Sequence, residues 1–207
     1  MSKLEAKVKP RIGLLPTGHK IYWSQYPSLK DRGTQMYQKL VDKLSEYGEV
    51  ISPGLVDTYE SALEAAKVLA EGSIDILFIF PFGYTTGMMI VPTVQAVDVP
   101  IRILNAHEDA SYDYSHADTE LYLHHEGACC VPEYAGTLVS LGKKFKVLTG
   151  HFGEKRFWNE IQRSCLGAAA ATAYVQCRFA VIGNTYTNMC DMPVDEHRVL
   201  KATGQLI

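Results

Sequence analysis

The sequence predicts an α/β protein built on a doubly wound, mostly parallel sheet with helices on both faces, of the flavodoxin or Rossmann-like kind. Three observations predict it. Short apolar runs alternate along the chain with longer stretches whose apolar residues recur every three or four positions, the pattern of strands alternating with amphipathic helices. One run, Asp75-Ile-Leu-Phe-Ile-Phe80, is continuous rather than alternating, as befits a central parallel strand covered on both sides. The 207 residues are 47% apolar and 21% charged, an ordinary globular balance that supports a real core.

The elements follow in order. Arg11-Ile-Gly-Leu-Leu15, stopped by Pro16-Thr17-Gly18, reads as the first strand, and the segment from about Leu29 to Tyr47 as the first helix, with Met36, Leu40, Val41 and Leu44 on one face and Gly48 as its stop. Glu49–Ile51 is a short strand. Thr58 caps a helix over Tyr59–Glu71 that closes at Gly72. Beyond the central strand, strands are expected at Ile101–Leu104, Phe145–Thr149 and Phe179–Ile182, and helices near Thr86–Ala96, Tyr134–Leu141 and Glu154–Val175. Pro132 suits a position before or within a first helical turn, and Glu133 would favour the positive end of the helix from Tyr134. Asn105–Val131, rich in His, Asp and Tyr, is the least patterned segment.

Charge and cysteine content narrow the partners. Twenty Lys and Arg against 23 Asp and Glu give a net charge of −3, which leaves no positive excess for nucleic acid. No stretch reaches the ~18 apolar residues of a membrane span, and the first residues lack a signal-peptide core, so a cytoplasmic, soluble protein is expected. Cys129, Cys130, Cys165, Cys177 and Cys190 form no C-x-x-C pair and read as reduced thiols, with Cys129 and Cys130 as small buried residues.

Ligands of such sheets sit outside the carboxyl ends of the strands. The segments there, His19–Trp23, Pro81–Tyr84, Asn105–Glu108, Gly150–Phe152 and Gly183–Tyr186, are polar and aromatic, a set that suits a neutral polyol better than a nucleotide. No G-x-G-x-x-G, Walker-type loop or G-x-S-x-G elbow occurs. His107, His116, His124 and His125 lie near Glu108, Asp113, Asp118 and Glu120, but without metal-ligand spacing, and the adjacent His124 and His125 are expected to point apart.

Four segments, in order, resemble the L-arabinose isomerase branch of the arabinose/fucose isomerase superfamily. Thr17-Gly-His-Lys-Ile-Tyr22 is similar to that family's G-S-Q-H-L-Y loop, and Glu126-Gly-Ala-Cys-Cys-Val-Pro-Glu-Tyr134 to its Q-x-x-H-G-x-x-E-[FY] loop. Val147–Phe152 with Trp158 resembles V-x-G-H-W, and Phe179–Glu196 resembles R-F-G-D-N-M-R-x-V-A-V-T-E with Asn188-Met189 on N-M. The departures are His19 and Glu126 for Gln, Cys129 for a His that reaches a neighbouring subunit, and Cys190 for Arg. Such changes point to a sugar other than L-arabinose.

The resemblance implies a manganese-dependent aldose–ketose isomerase acting on a pentose or deoxyhexose as a homo-oligomer. It places the catalytic Glu residues and His ligands in later domains, so this chain reads as an N-terminal domain, 1–176, with the beginning of a middle α/β domain, 177–207, and is expected to hold no metal alone. His19, Tyr22, Glu126, Cys129 and Met189 are the implied substrate-side residues, with none assigned to the proton transfer itself. A non-catalytic sugar-binding or sensing module is the alternative, and a cofactor-binding flavodoxin-like domain the third reading.

Overall fold

The computed structural model of the protein describes residues 9–180 and 194–205. The apolar runs form five strands, β1 (Arg11–Thr17), β2 (Glu49–Ile51), β3 (Ile76–Pro81), β4 (Ile101–His107) and β5 (Phe145–His151). They make one all-parallel sheet in the order β2-β1-β3-β4-β5. This is the doubly wound α/β architecture, with its topological switch between β1 and β3.

Alternation along the strands divides the core in two. Ile12, Leu14, Ile76, Phe78, Phe80 and Leu104 point to one face, where α1 (Pro27–Ser45) lays down Met36, Leu40 and Leu44, and α6 (Lys155–Gln176) lays down Phe157, Ile161 and Cys165. Leu15, Leu77, Ile79, Ile101 and Ile103 point to the other, covered by α2 (Tyr59–Glu71), α3 (Val91–Ala96) and α5 (Gly127–Ser140). Each fully buried Leu, Ile or Phe contributes about 1.5–3 kcal/mol of burial free energy, so these two layers hold the sheet.

Several expectations are met closely. Thr58 caps α2, its hydroxyl accepting from Ser61 N at 3.1 Å in a reciprocal capping box. The expected helix over 86–96 divides into a 3-10 turn, Gly87–Met89, and α3, with Pro92 in the latter's first turn.

The segment Asn105–Val131 departs most from expectation. It contains the end of β4, a 3-10 turn at Tyr114–His116, α4 (Thr119–His125) and the start of α5. Pro132 and Glu133 therefore lie inside α5, not ahead of it. Glu133 serves a different helical end: its Oε1 accepts from Gly87 N at 2.6 Å. Of the cysteine pair, Cys130 is buried as expected and Cys129 is exposed. In the alanine-rich end of α6, Ala168 and Ala169 are buried while Tyr174 and Val175 are exposed.

A final helix, α7 (Glu196–Thr203), ends at Gly204 in the left-handed region (φ 74°). Phe179 and Ala180 carry no regular structure, and the rest of the strand expected at Phe179–Ile182 lies outside the described residues, as do Met189 and Cys190. No helix among the described residues is long and apolar enough to cross a membrane.

Candidate functional site at the carboxyl edge of the sheet

At the switch point the ends of β1 and β3 are pinned to α5. Thr17 is fully buried; its hydroxyl donates to Phe80 O at 3.4 Å and accepts from Tyr134 OH at 2.8 Å. Burial pushes the Tyr134 phenol pKa far up, against the opposing pull of its hydrogen bonds to Thr17 and Thr85, and so keeps it neutral. Gly127 lets α5 start against β3, because a Cβ there would stand 2.8 Å from Pro81 O. One turn on, the Cys130 thiol accepts from Thr85 N at 3.1 Å and lies 3.4 Å from Gly83 O.

This anchoring fixes the loop after β3 beside the loop after β1. His19 precedes a 3-10 turn, Lys20–Tyr22, in extended conformation, and its ring meets Tyr22 edge-on at 5.8 Å. Tyr22 in turn meets Tyr84 at 6.1 Å. Behind them Trp23 stacks on Phe82 at 6.0 Å and donates from Nε1 to Asp57 Oδ2 at 2.6 Å. Phe82 also fills the space above Gly33 of α1, where a Cβ would overlap its ring. The Nδ1 atom of His19 is buried without a partner in the described structure.

The Cys129 thiol lies close enough to Tyr84 to act on its hydroxyl, and Glu126 lies beside Cys129. The Glu133 carboxylate, then burial, then Tyr22 and the two thiols push the Tyr84 hydroxyl pKa up. Burial and the adjacent Glu126 raise the Cys129 thiol, and burial raises Cys130 to about 12. Both shifts favour the protonated thiol over the thiolate. The structure brings His19, Tyr22, Glu126 and Cys129 to one edge, while Met189 falls outside the described residues.

Glu126 and Cys129 also line an open cavity of about 420 Å³, walled by Tyr112, Tyr114, Tyr122 and Asp118. The three tyrosines were not among the sequence candidates, and Asp118 was weighed only beside the histidines; the tyrosine density of the segment was the available signal. A larger cavity, about 600 Å³, lies between Asp98, Arg102 and Lys143 at the amino ends of β4 and β5. That is the opposite edge from the one where such sheets bind ligands.

On the other flank, β4 ends in Asn105 and His107, with Glu108 just beyond it. His107 shares a hydrogen bond of 3.0 Å with Asn105 Oδ1 and stacks near His125 with centroids 6.0 Å apart. His124 and His125 do not diverge as expected. Both lean on one acidic pair, His124 Nε2 lying 4.0 Å from Glu108 Oε2 and His125 Nε2 3.5 Å from Asp109 Oδ2. The turn from β4 into the following loop sets Glu108 and Asp109 side by side, so successive helical residues each find one. Lys39 and Arg32 of α1 neutralise the same carboxylates. Burial, then Arg32, lowers the His124 pKa to about 4, and burial lowers His125 and His107.

Among the described residues no three His, Cys, Asp or Glu side chains converge to hold a metal ion. The manganese implied by the family resemblance therefore does not fit the residues described, and the chemistry they offer is hydrogen bonding and aromatic stacking. No family model matches this chain, and no curated protein matches it.

Proposed function

We propose that this chain supplies the substrate-side wall of an aldose–ketose sugar isomerase of the arabinose/fucose type, binding a pentose or deoxyhexose in a homo-oligomeric enzyme. The observation that carries the reading is that two loops distant in sequence come together at Tyr84 on the carboxyl edge of the sheet: Tyr22, beside His19, meets its ring, and Cys129, beside Glu126, acts on its hydroxyl. These are two of the segments whose residues resemble the family's substrate contacts.

In this role the residues bind and orient. The Glu126 carboxylate accepts hydrogen bonds from sugar hydroxyls, the tyrosine faces cover C–H surface, and His19 and Tyr22 complete the donors and acceptors. A Gln offers both a donor and an acceptor where Glu126 offers acceptors only, so this wall selects a hydroxyl pattern different from that of a Gln-bearing relative. The proton-transferring carboxylates and the metal ligands belong, on this reading, to further domains of the intact protein.

The test is an assay of the whole gene product with manganese for ketose formation from L-arabinose, L-fucose and related aldoses, alongside Glu126→Gln. Turnover in which Glu126→Gln changes the ranking of sugars supports the reading. Turnover with an unchanged ranking removes Glu126 from the substrate wall. Sugar binding without turnover points instead to a sensing module, and absence of both refutes the sugar site.

A further inference from the structure

The carboxylates at the carboxyl edge fall into two electrical groups. Glu108 and Asp109 have cations beside them, Lys39 at 2.5 Å and Arg32 at 3.8 Å. Asp118, Glu126 and Glu133 take part in none of the ion pairs found among the described residues. Asp118 and Glu133 are engaged with backbone, accepting from Leu121 N and Gly87 N. Glu126 is the exception: it is 9% exposed, lines the tyrosine-walled cavity, and is engaged by the Tyr122 hydroxyl and the Cys129 thiol. A buried carboxylate without a counter-ion is costly, and a cationic ligand relieves that cost.

The rest of the cavity has the matching chemistry. Tyr112 and Tyr114 lie with ring centroids 5.0 Å apart, Tyr122 stands on α4 beside Glu126, and no Lys or Arg lines the space. Aromatic rings around a carboxylate attract an ammonium through ring quadrupole and charge together. Asp118 and Glu126 are the two acids of the lining, His125 is its one titratable base, and Glu126 raises the pKa values of Tyr122 and Cys129.

We propose that the cavity between the tyrosines and Glu126 is an organic-cation site, which selects an amine-bearing polyol over the neutral polyol of the same shape. The polyol half rests on the sugar reading above; the cation half rests on the tyrosines and Glu126 alone. The ammonium sits against the Glu126 carboxylate and the tyrosine faces, and the hydroxyls extend towards Tyr84 and Tyr22.

The experiment is calorimetric titration of the protein, at low and at physiological ionic strength, with L-arabinitol, with its aminoalditol analogue and with tetramethylammonium chloride. The aminoalditol is expected to bind about tenfold more tightly than L-arabinitol, with the advantage shrinking as salt rises. Glu126→Gln, which keeps the shape of the side chain, should abolish the advantage of the aminoalditol over L-arabinitol. Tyr122→Leu, checked for an unchanged melting temperature, should weaken tetramethylammonium. Equal binding of amine and neutral polyol overturns the cation proposal and leaves the sugar reading standing. Binding of the two cations without L-arabinitol supports the cation site and overturns the sugar reading. No binding by any of the three overturns both.

Discussion

His124 should make the wall of the candidate site acid-sensitive. Its side chain is 1% exposed, and its Nδ1 has no partner in the described structure. The groups facing it are Glu108 and Asp109 at the end of β4, Arg32 from α1 and His125 from its own helix. Burial and Arg32 disfavour the imidazolium, the two carboxylates favour it, and the balance lowers the pKa from 6.5 to about 4. The folded state therefore holds the ring neutral while the unfolded chain takes up a proton. A base with a lowered native pKa contributes stability that is complete above pH 6.5 and is lost as pH falls from there to about 4. A difference of some two and a half pH units corresponds to about 3 kcal/mol, a large share of the ~5–15 kcal/mol that holds a typical domain folded. His125 and His107, also lowered by burial, act in the same direction. Urea unfolding of the wild type and of His124→Gln, measured at intervals from pH 7.5 to 4, tests this. The variant should lose distinctly less stability over the window, because a non-titrating amide replaces the ring. Parallel losses in both proteins would refute the assignment of the pH dependence to His124.

Three further outcomes follow from the packing that positions the site. Gly33→Ala should destabilise by about 1–3 kcal/mol in urea unfolding, since its Cβ would overlap Phe82 and disturb the Trp23 stack; an unchanged midpoint would mean Phe82 moves freely. Tyr134→Phe removes the hydroxyl that donates to Thr17 at 2.8 Å and should cost about 1–2 kcal/mol by the same measurement. Iodoacetamide at pH 8 should spare Cys130 and Cys165, both pushed up to about 12 by burial, until urea is added; labelling of either in the native protein would contradict their burial.

The strands were readable because both of their faces are apolar. Ile76 to Phe80 alternate between two helical layers that are equally greasy, so the sequence is one unbroken run and the central position follows directly. The stretch from Asn105 to Val131 hid its helices for the opposite reason. α4 buries only Leu123 and His124, so it has no apolar stripe to detect, and its Asp118 cap was the one local signal. α5 begins at a glycine chosen for its closeness to Pro81 O and carries Pro132 in its second turn, two features that ordinarily mark a boundary. Pairing of His124 and His125 with successive carboxylates was equally hidden. Residues adjacent on a helix ordinarily diverge by about 100°, and only the tertiary arrangement, which sets Glu108 and Asp109 side by side, reveals that both rings reach one acidic pair.

The same weak apolar content explains how this edge divides its work. Segment 108–126 is tied to α1 by polar contacts, Glu108 to Lys39, Asp109 to Arg32 and Glu120 to Ser28, more than by burial. Those contacts take up Lys39 and Arg32 of α1, and no Lys or Arg lines the cavity beside Glu126. Glu126 is consequently left without a cationic partner, mostly buried beside three tyrosines, a costly arrangement for stability alone. Replacing Glu126 by Gln should therefore leave the fold as stable as before, or more so, while changing what binds. A substitution that weakens ligand binding without lowering the urea midpoint would separate a residue kept for recognition from one kept for packing.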